Sequence, residues 1–300
     1  MAKVVTITAF DSNSGFASHW IIDGGIAKYV FDPTITVAAT NLRELAVILS
    51  KGLVPSLEFY KDKDPSKFCF EASETDIGHY FPRLYRPFVG TGSADTDEPP
   101  SDQAHRKDAI RQFRILWRDL QILFEHVHPD SRNLSAFGDR IRNLILLCAM
   151  EVENQLRGIL RANAYPEKTV KRLNFGDYQK IEPYAGLSHY CLEYSQYENL
   201  GFFRPFDVFE KRAPDWWDAY NQIKHDRYKN QHIANLGNAL AAFTAFGITI
   251  IAQHGYGVMY QGHDGTIMAD VLKMTHQPSL RPVFRNGSEA WTAQPVFQRR

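Results

Sequence analysis

The chain has little cysteine, and its three cysteines do not form a recognisable site. Cys69, Cys148 and Cys191 lie far apart, are odd in number and include no Cys-x-x-Cys pair. Disulfide frameworks usually use even numbers of cysteines, and thiolate zinc sites use closely spaced pairs. The pattern therefore argues against both, and we expect a cytoplasmic protein with reduced thiols.

Neither sign of charge is in excess, since 34 Lys and Arg residues balance 34 Asp and Glu residues. Such a chain has no overall field that would draw it to nucleic acid or to an anionic membrane. Any binding of that kind must come from a local cluster of cations.

A clear membrane segment is also missing. The apolar segment at residues 236–252 has 17 residues, includes Asn238, Thr244 and Thr249, and has no basic flank after it. This length is the lower limit for crossing a bilayer. We expect a buried helix of a bundle and no membrane association. The first ten residues have too short an apolar run for a signal peptide.

Several common catalytic motifs are absent. The sequence contains no phosphate-binding Gly-rich loop followed by Lys-Ser/Thr, no His-Glu-x-x-His and no nucleophile elbow. His126 and His128 would point about 200° apart on a helix, which is poor geometry for a metal pair. His263 and Asp264 fall in a predicted hairpin turn. We therefore expect no metal and no cofactor.

The N-terminal part is rich in short β-branched and aromatic runs separated by turn residues. It predicts a small antiparallel sheet, and a helix over residues 42–51 with Asn41 as its N-cap. The predicted strands lie at residues 4–10, 18–23, 27–31, 34–38, 57–60 and 68–72.

Residues 82–100 are rich in proline, which predicts a linker. Helical periodicity begins after this segment. Apolar residues recur every three or four positions in the predicted helices, which lie near residues 106–127, 135–163, 187–199, 216–230 and 236–252. The expected fold class is α+β. We predict a β-rich domain at residues 1–95, a helical bundle at 101–255, and a hairpin with a loosely held tail at 256–300.

The helix predicted from Trp216 combines aromatic and charged residues. One of its faces carries Asn221, Lys224, His225 and Tyr228. On the preceding long helix, Glu151 lies at the edge of the apolar stripe, where a half-buried carboxylate needs a cationic partner. Lys224, His225 or Arg227 could supply that partner.

The helical half resembles the HEPN superfamily of helical bundles. The resemblance rests on the strings RIRNLILLCAMEVENQLRGIL, WWDAYNQIKHDRY and ANLGNALAAFTAF, and it covers about residues 101–254. It implies a homodimer, which we expect to form through the face that carries Asn221 and His225, a role with RNA or nucleotides, and a bacterial defence or toxin-related setting. The N-terminal domain is outside the resemblance.

Ribonucleases of that superfamily use Arg, four to six residues and then His, often with a polar residue after the Arg. The matching positions here are Tyr220, Asn221 and His225, so the chain has tyrosine where the family has arginine. Tyrosine carries no positive charge at neutral pH. Lys224 or Arg227 could replace the missing cation beside the developing phosphate charge.

Three functions follow as alternatives. The first is an RNA- or nucleotide-binding or interaction protein without efficient chemistry. The second is a metal-independent endoribonuclease with His225, Asn221, Lys224 and Arg227 as catalytic residues. Substrate contacts would come from Tyr220, Tyr228 and Glu151. The third is a structural domain, in which Asn221 and His225 pair with Glu151 to hold the bundle together and the β-rich half recognises another protein or ligand.

Overall fold

The computed structural model describes residues 4–9, 17–30, 32, 34–72, 74–76, 78–89, 100–166, 173–260, 268–280, 283–284 and 291–297. It separates into two compact units. The sheet unit comprises Met1–Phe81, Arg86–Glu98 and Leu280–Gln294. The helical unit comprises Pro82–Tyr85, Pro99–Ser279 and Pro295–Arg300. The predicted range 256–300 is thus divided between the two units.

The sheet unit contains the predicted antiparallel sheet, with strand order β4-β3-β2-β1-β5. The strands are β1 (Val4–Ala9), β2 (Ala17–Asp23), β3 (Ile26–Tyr29), β4 (Thr36–Ala38) and β5 (Phe68–Ala72). Helix α1 (Leu42–Ser50) starts at Asn41, whose side chain accepts a hydrogen bond from the Glu44 N–H, as predicted. The α+β fold class is confirmed.

The core of this unit forms where one face of the sheet meets α1. Trp20, Leu45 and Leu49 are buried there. The Trp20 indole N–H donates to the Ser18 hydroxyl at 2.9 Å, and Ser18 donates to the Tyr60 hydroxyl at 2.8 Å. The buried polar groups are therefore paired with one another, as burial requires.

The strand predicted at residues 57–60 is wrong. Pro55–Tyr60 forms 3₁₀ turns, with Pro55 in the first turn, where its missing N–H costs nothing. Leu57 and Tyr60 are both buried. A spacing of three fits a 3₁₀ turn, whereas two residues of opposite parity would face opposite sides of a strand.

Two short parallel pairs complete the described part of this unit. They are formed by β6 (His79–Tyr80) with β12 (Thr292–Ala293), and by β7 (Phe88–Val89) with β11 (Val283–Phe284). Strands from two distant parts of the chain therefore belong to the same unit.

The helical unit is built around one apolar helix. Its helices are α2 (Pro100–Phe124), α3 (Asp139–Ala162), α4 (Phe175–Gln179), α5 (Glu182–Ala185), α6 (Asp215–His225), α7 (Leu236–His254) and α8 (Met268–Val271). Helix α7 packs along α3 and also contacts α2 and α6. Phe113 of α2 lies 4.7 Å from Phe243 of α7 between ring centroids.

Length and composition alone would let α7 cross a membrane, but 83% of its most apolar window is buried inside the protein. The structure thus shows this helix in the core of the bundle, as its predicted role requires. Polar residues within it are paired. The Thr249 hydroxyl, for example, donates to the Phe246 carbonyl at 2.8 Å.

The helix predicted over residues 187–199 is wrong. This segment contains β8 (Cys191–Tyr194), which pairs on one side with β10 (Leu272–His276) and on the other with β9 (Phe202–Phe203). Its partner β10 lies more than seventy residues further on, and local periodicity carries no information about such a partner.

Two further expectations differ from the structure. Helix α6 ends at His225 instead of continuing to residue 230, and Asp226 leaves the helical conformation with φ −142°. The tail was expected to be loosely held, but the Val296 and Phe297 N–H groups donate to Asn163 at 3.2 and 3.1 Å. The hairpin predicted around residues 263–265 lies outside the described residues.

Candidate nucleic-acid interface

Helix α6 is anchored at its N-terminal half and presents its last turn to solvent. Trp216 and Trp217 are buried, and the Trp216 indole N–H donates to the Pro205 carbonyl at 2.8 Å. Toward the other end, Lys224 and His225 are exposed. The two tryptophans thus bury the first half of the helix, and the charged residues that follow leave its last turn exposed.

A groove of about 610 Å³ runs between α3 and α6. Apolar and polar residues of both helices line it, namely Leu146, Met150, Glu153, Asn154, Tyr220 and Ile223. Four cationic residues complete the lining, namely Arg142, Arg157, Lys224 and Arg227. Arg157 is paired with Glu153, and Arg142 is paired with Asp139 beside the groove, so the positive excess that suits the groove to anions comes from Lys224 and Arg227.

Glu153 accepts hydrogen bonds from three residues around the groove. Its carboxylate accepts hydrogen bonds from the Tyr178 hydroxyl at 3.2 Å, the Tyr220 hydroxyl at 3.3 Å and the Arg157 guanidinium at 3.3 Å. Burial raises the pKa of Tyr178 to about 12, and the Glu153 charge adds to this effect. Tyr178 therefore stays protonated, and the hydroxyls of Tyr178 and Tyr220 fix Glu153 by donating to it.

Lys224 is held over Tyr220. Its ammonium group donates to the Tyr220 hydroxyl at 3.3 Å and lies 5.2 Å from the ring centroid. A cation at this distance interacts favourably with the ring. The contact holds the Lys224 charge at the groove.

Comparison with protein-family models, curated proteins and solved structures finds no match. The HEPN resemblance therefore rests on the sequence strings alone.

The groove brings together three of the predicted site residues. Lys224, Arg227 and Tyr220 line it. Tyr220 is only 3% exposed, so it is a wall residue with its hydroxyl engaged. Tyr220, which falls where the HEPN resemblance would have an arginine, is thus a buried residue in the wall of the groove.

The other predicted residues on or beyond α6 are outside the lining. Asn221 is half-buried, and His225 is exposed as the last residue of the helix. Tyr228 is 85% exposed and follows the helix end. Because α6 stops at His225, the predicted face does not extend to Tyr228.

Glu151 is on the side of α3 that faces α2, contrary to the expected pairing with α6. Burial raises its pKa, the Asp108 carboxylate raises it further, and Arg111 opposes both. Glu153, two positions further on, occupies the place beside α6. A difference of two residues turns a helical side chain by about 200°.

Sequence reasoning missed most of the groove wall on α3. The missed residues are Arg142, Leu146, Met150, Glu153, Asn154 and Arg157. They recur at steps of three and four, so they share one face of a helix that was correctly predicted. Their spacing could have identified this second polar face.

No metal site is found among the described residues, where no three His, Cys, Asp or Glu side chains gather closely enough to hold an ion. His126 and His128 are both exposed at the end of α2. His263 and Asp264 fall outside the described part of the chain.

Proposed function

We propose that this protein binds RNA or a nucleotide in the groove between α3 and α6, without efficient cleavage. The observation that carries the proposal is the pair of exposed cations Lys224 and Arg227 in the lining, since Arg142 and Arg157 are paired with Asp139 and Glu153. The chain as a whole has no net charge, so this local excess is a feature of the site. Phosphate groups are the ligands that such a cluster attracts most strongly.

The arrangement of Tyr220 argues against efficient cleavage. Its hydroxyl is engaged by Glu153 and Lys224, and the residue supplies no charge at the position where the related nucleases have arginine. A scissile phosphate needs both a cation and a group that moves a proton. His225 is absent from the groove lining.

The test is the binding of a fluorescently labelled RNA, measured by anisotropy over a range of salt concentrations. The variant Lys224→Glu/Arg227→Glu should bind about tenfold more weakly, and its salt slope should fall by about 0.7 for each lost phosphate contact. The matched control is Arg204→Glu/Lys211→Glu, which makes the same charge change at exposed positions outside the groove.

Equal losses in the two variants would show that overall charge, and not the groove, governs binding. Wild-type protein that leaves RNA unbound at micromolar concentration would remove the proposal, and would favour the third function, recognition of another protein by the sheet unit.

A metal-independent endoribonuclease is the second candidate. It is favoured by the exposure of His225 directly after Lys224 at the end of α6. Incubation of the protein with labelled RNA in a chelator tests it. Cleavage that disappears in His225→Ala but persists in His232→Ala, which changes a second exposed histidine, would support the enzyme. Intact RNA at high protein concentration would exclude it.

A further inference from the structure

Asn163, at the end of α3, is a fully buried side chain with fixed geometry. Its amide NH₂ donates to the Ile159 carbonyl at 2.9 Å and to the Pro82 carbonyl at 2.7 Å. These two bonds use both side-chain donors, so the side-chain oxygen is held in one direction. The main-chain carbonyl of the same residue is a second acceptor.

Both acceptors are used by a short turn from the far end of the chain, at Val296 and Phe297. The Val296 N–H donates to the Asn163 side-chain oxygen at 3.2 Å, and the Phe297 N–H donates to the Asn163 main-chain oxygen at 3.1 Å. Two consecutive backbone N–H groups thus donate to one residue, and these bonds do not depend on which side chains the segment carries.

The Phe297 side chain supplies the specific contact. Its ring lies between those of Tyr165 and Tyr184, with centroid distances of 5.1 and 5.9 Å and interplanar angles of 78° and 84°. Edge-to-face pairs of this kind are favourable beyond the area they bury. An aromatic side chain is therefore preferred at this position.

Tyr165 is fixed by groups other than Phe297. Its hydroxyl donates to the Asp177 carboxylate at 2.7 Å and accepts from the Lys180 ammonium group, which also lies 5.1 Å from the ring centroid. Asn163 is fixed by Ile159 and Pro82. The contact surface is thus built by residues that hold one another, which lowers the cost of binding a ligand.

The bound segment is short, because the chain passes from the sheet unit to the helical unit between Gln294 and Pro295. The N–H of Gln294 donates to the Tyr80 carbonyl within the sheet unit, whereas Val296 and Phe297 belong to the helical unit. The described part of the segment that the helical unit holds is therefore Pro295–Phe297. Two backbone N–H groups and one aromatic side chain are thus the contacts that hold this turn.

We propose that Asn163, Tyr165 and Tyr184 form a peptide-binding site for a short turn segment that carries a phenylalanine. The chain fills this site with its own Val296 and Phe297, and a segment of the same pattern in another protein competes for it. Because the internal segment is tethered, it acts at an effective concentration on the order of millimolar. A competitor gains access only when the internal segment is weakened or detached.

The experiment uses the full chain and a labelled peptide with the sequence of residues 293–298, AQPVFQ. We expect Phe297→Ala protein to bind the peptide with a Kd below about 0.1 mM, and wild-type protein to bind it at least about tenfold more weakly, because the internal segment competes at about 1 mM. The same peptide with alanine in place of phenylalanine should not bind. Tyr228→Ala, which removes an exposed ring outside the site, should behave as the wild type does.

A second measurement covers the case in which Phe297→Ala does not fold. In wild-type protein, hydrogen exchange of the Val296 and Phe297 amides should be faster than that of the Asn163 amide, which bonds within α3. Exchange of all three amides at the rate of global unfolding would overturn the proposal. The proposal would also be overturned if folded Phe297→Ala protein did not bind the peptide, or bound it no better than wild-type protein does.

Discussion

His19 is a histidine that the sheet unit holds in its neutral form. It lies on β2 opposite Thr6 of β1, and burial lowers its pKa from 6.5 to about 4. The unfolded chain takes up a proton at this residue below about pH 6.5, whereas the folded chain does so only near pH 4. The stability associated with neutral His19 is therefore present above pH 6.5 and is lost as the pH falls toward 4.

We expect the free energy of unfolding of the sheet unit to fall by up to about 3 kcal/mol between pH 6.5 and pH 4 because of this residue. Denaturant unfolding at several pH values measures it. His19→Gln should flatten the pH dependence, whereas His189→Gln, at an exposed histidine, should leave it unchanged. An unchanged slope in His19→Gln would contradict the assignment.

At the same scale, sequence reasoning identified part of the groove. The cations Lys224 and Arg227 were predicted from their place on an aromatic and charged helix, and both line the groove. Glu151 was chosen over Glu153 because a stripe of apolar residues shows which face is buried but does not show which neighbour each edge of the stripe meets. Only the packing of α2 and α6 on opposite sides of α3 distinguishes the two carboxylates.

The end of α6 is set by a side chain that follows it. The Asn230 amide donates to the Gln222 carbonyl at 3.2 Å, which also accepts from the Asp226 N–H at 2.9 Å, and to the Asp226 carbonyl at 3.0 Å, so it ties the chain after the helix to the last turn. Lys224 lies in that turn. The end of the helix at His225 thus depends on a contact between residues eight positions apart, Asn230 and Gln222, which helical periodicity does not reveal.

Asn230→Ala should fray this turn and lower the stability of the helical unit by about 0.5–1.5 kcal/mol. Thermal unfolding followed by circular dichroism should show a Tm lower by about 2–4 °C. RNA binding should weaken as well, because Lys224 loses its fixed position. Gln231→Ala removes an exposed amide one residue further on and is the matched control. Equal Tm values for Asn230→Ala and wild type would contradict the capping role.

Elements with strong local patterns were predicted well, and those that depend on distant partners were not. Helix α1 has its own N-cap, and α3 and α7 have long apolar patterns, so their existence follows from neighbouring residues. Strand β8 exists because β10 pairs with it. The tyrosines and the leucine of residues 187–197 fit a helix equally well when that partner is ignored.

At the scale of the whole molecule, a homodimer through the helical unit remains a prediction. Leu147 and Met150 on α3 are 45% and 51% exposed, and Ile122 of α2 shares a depression of about 230 Å³ with Leu147. Exposed apolar side chains grouped in this way are typical of interaction surfaces. They favour the α3 face over the predicted face with Asn221 and His225.

We expect the wild-type protein to have the mass of a dimer in size-exclusion chromatography with light scattering. Leu147→Asp/Met150→Asp should shift it to the mass of a monomer, because buried unpaired charges oppose association. The control Phe202→Asp changes a phenylalanine on β9 that is 69% exposed. A monomeric wild type would contradict the prediction.

The pairing of β8 with β10 also bears on how the protein is made. Residue 276 leaves the ribosome about 80 residues after residue 194, which at 5–20 residues per second is a delay of roughly 4–16 s. During that interval α7 has been synthesised, but the sheet that packs beside it is incomplete. Helices α2, α3 and α6, which pack against α7, have been synthesised before it, so the nascent chain can pack α7 against them while β8 still lacks β10.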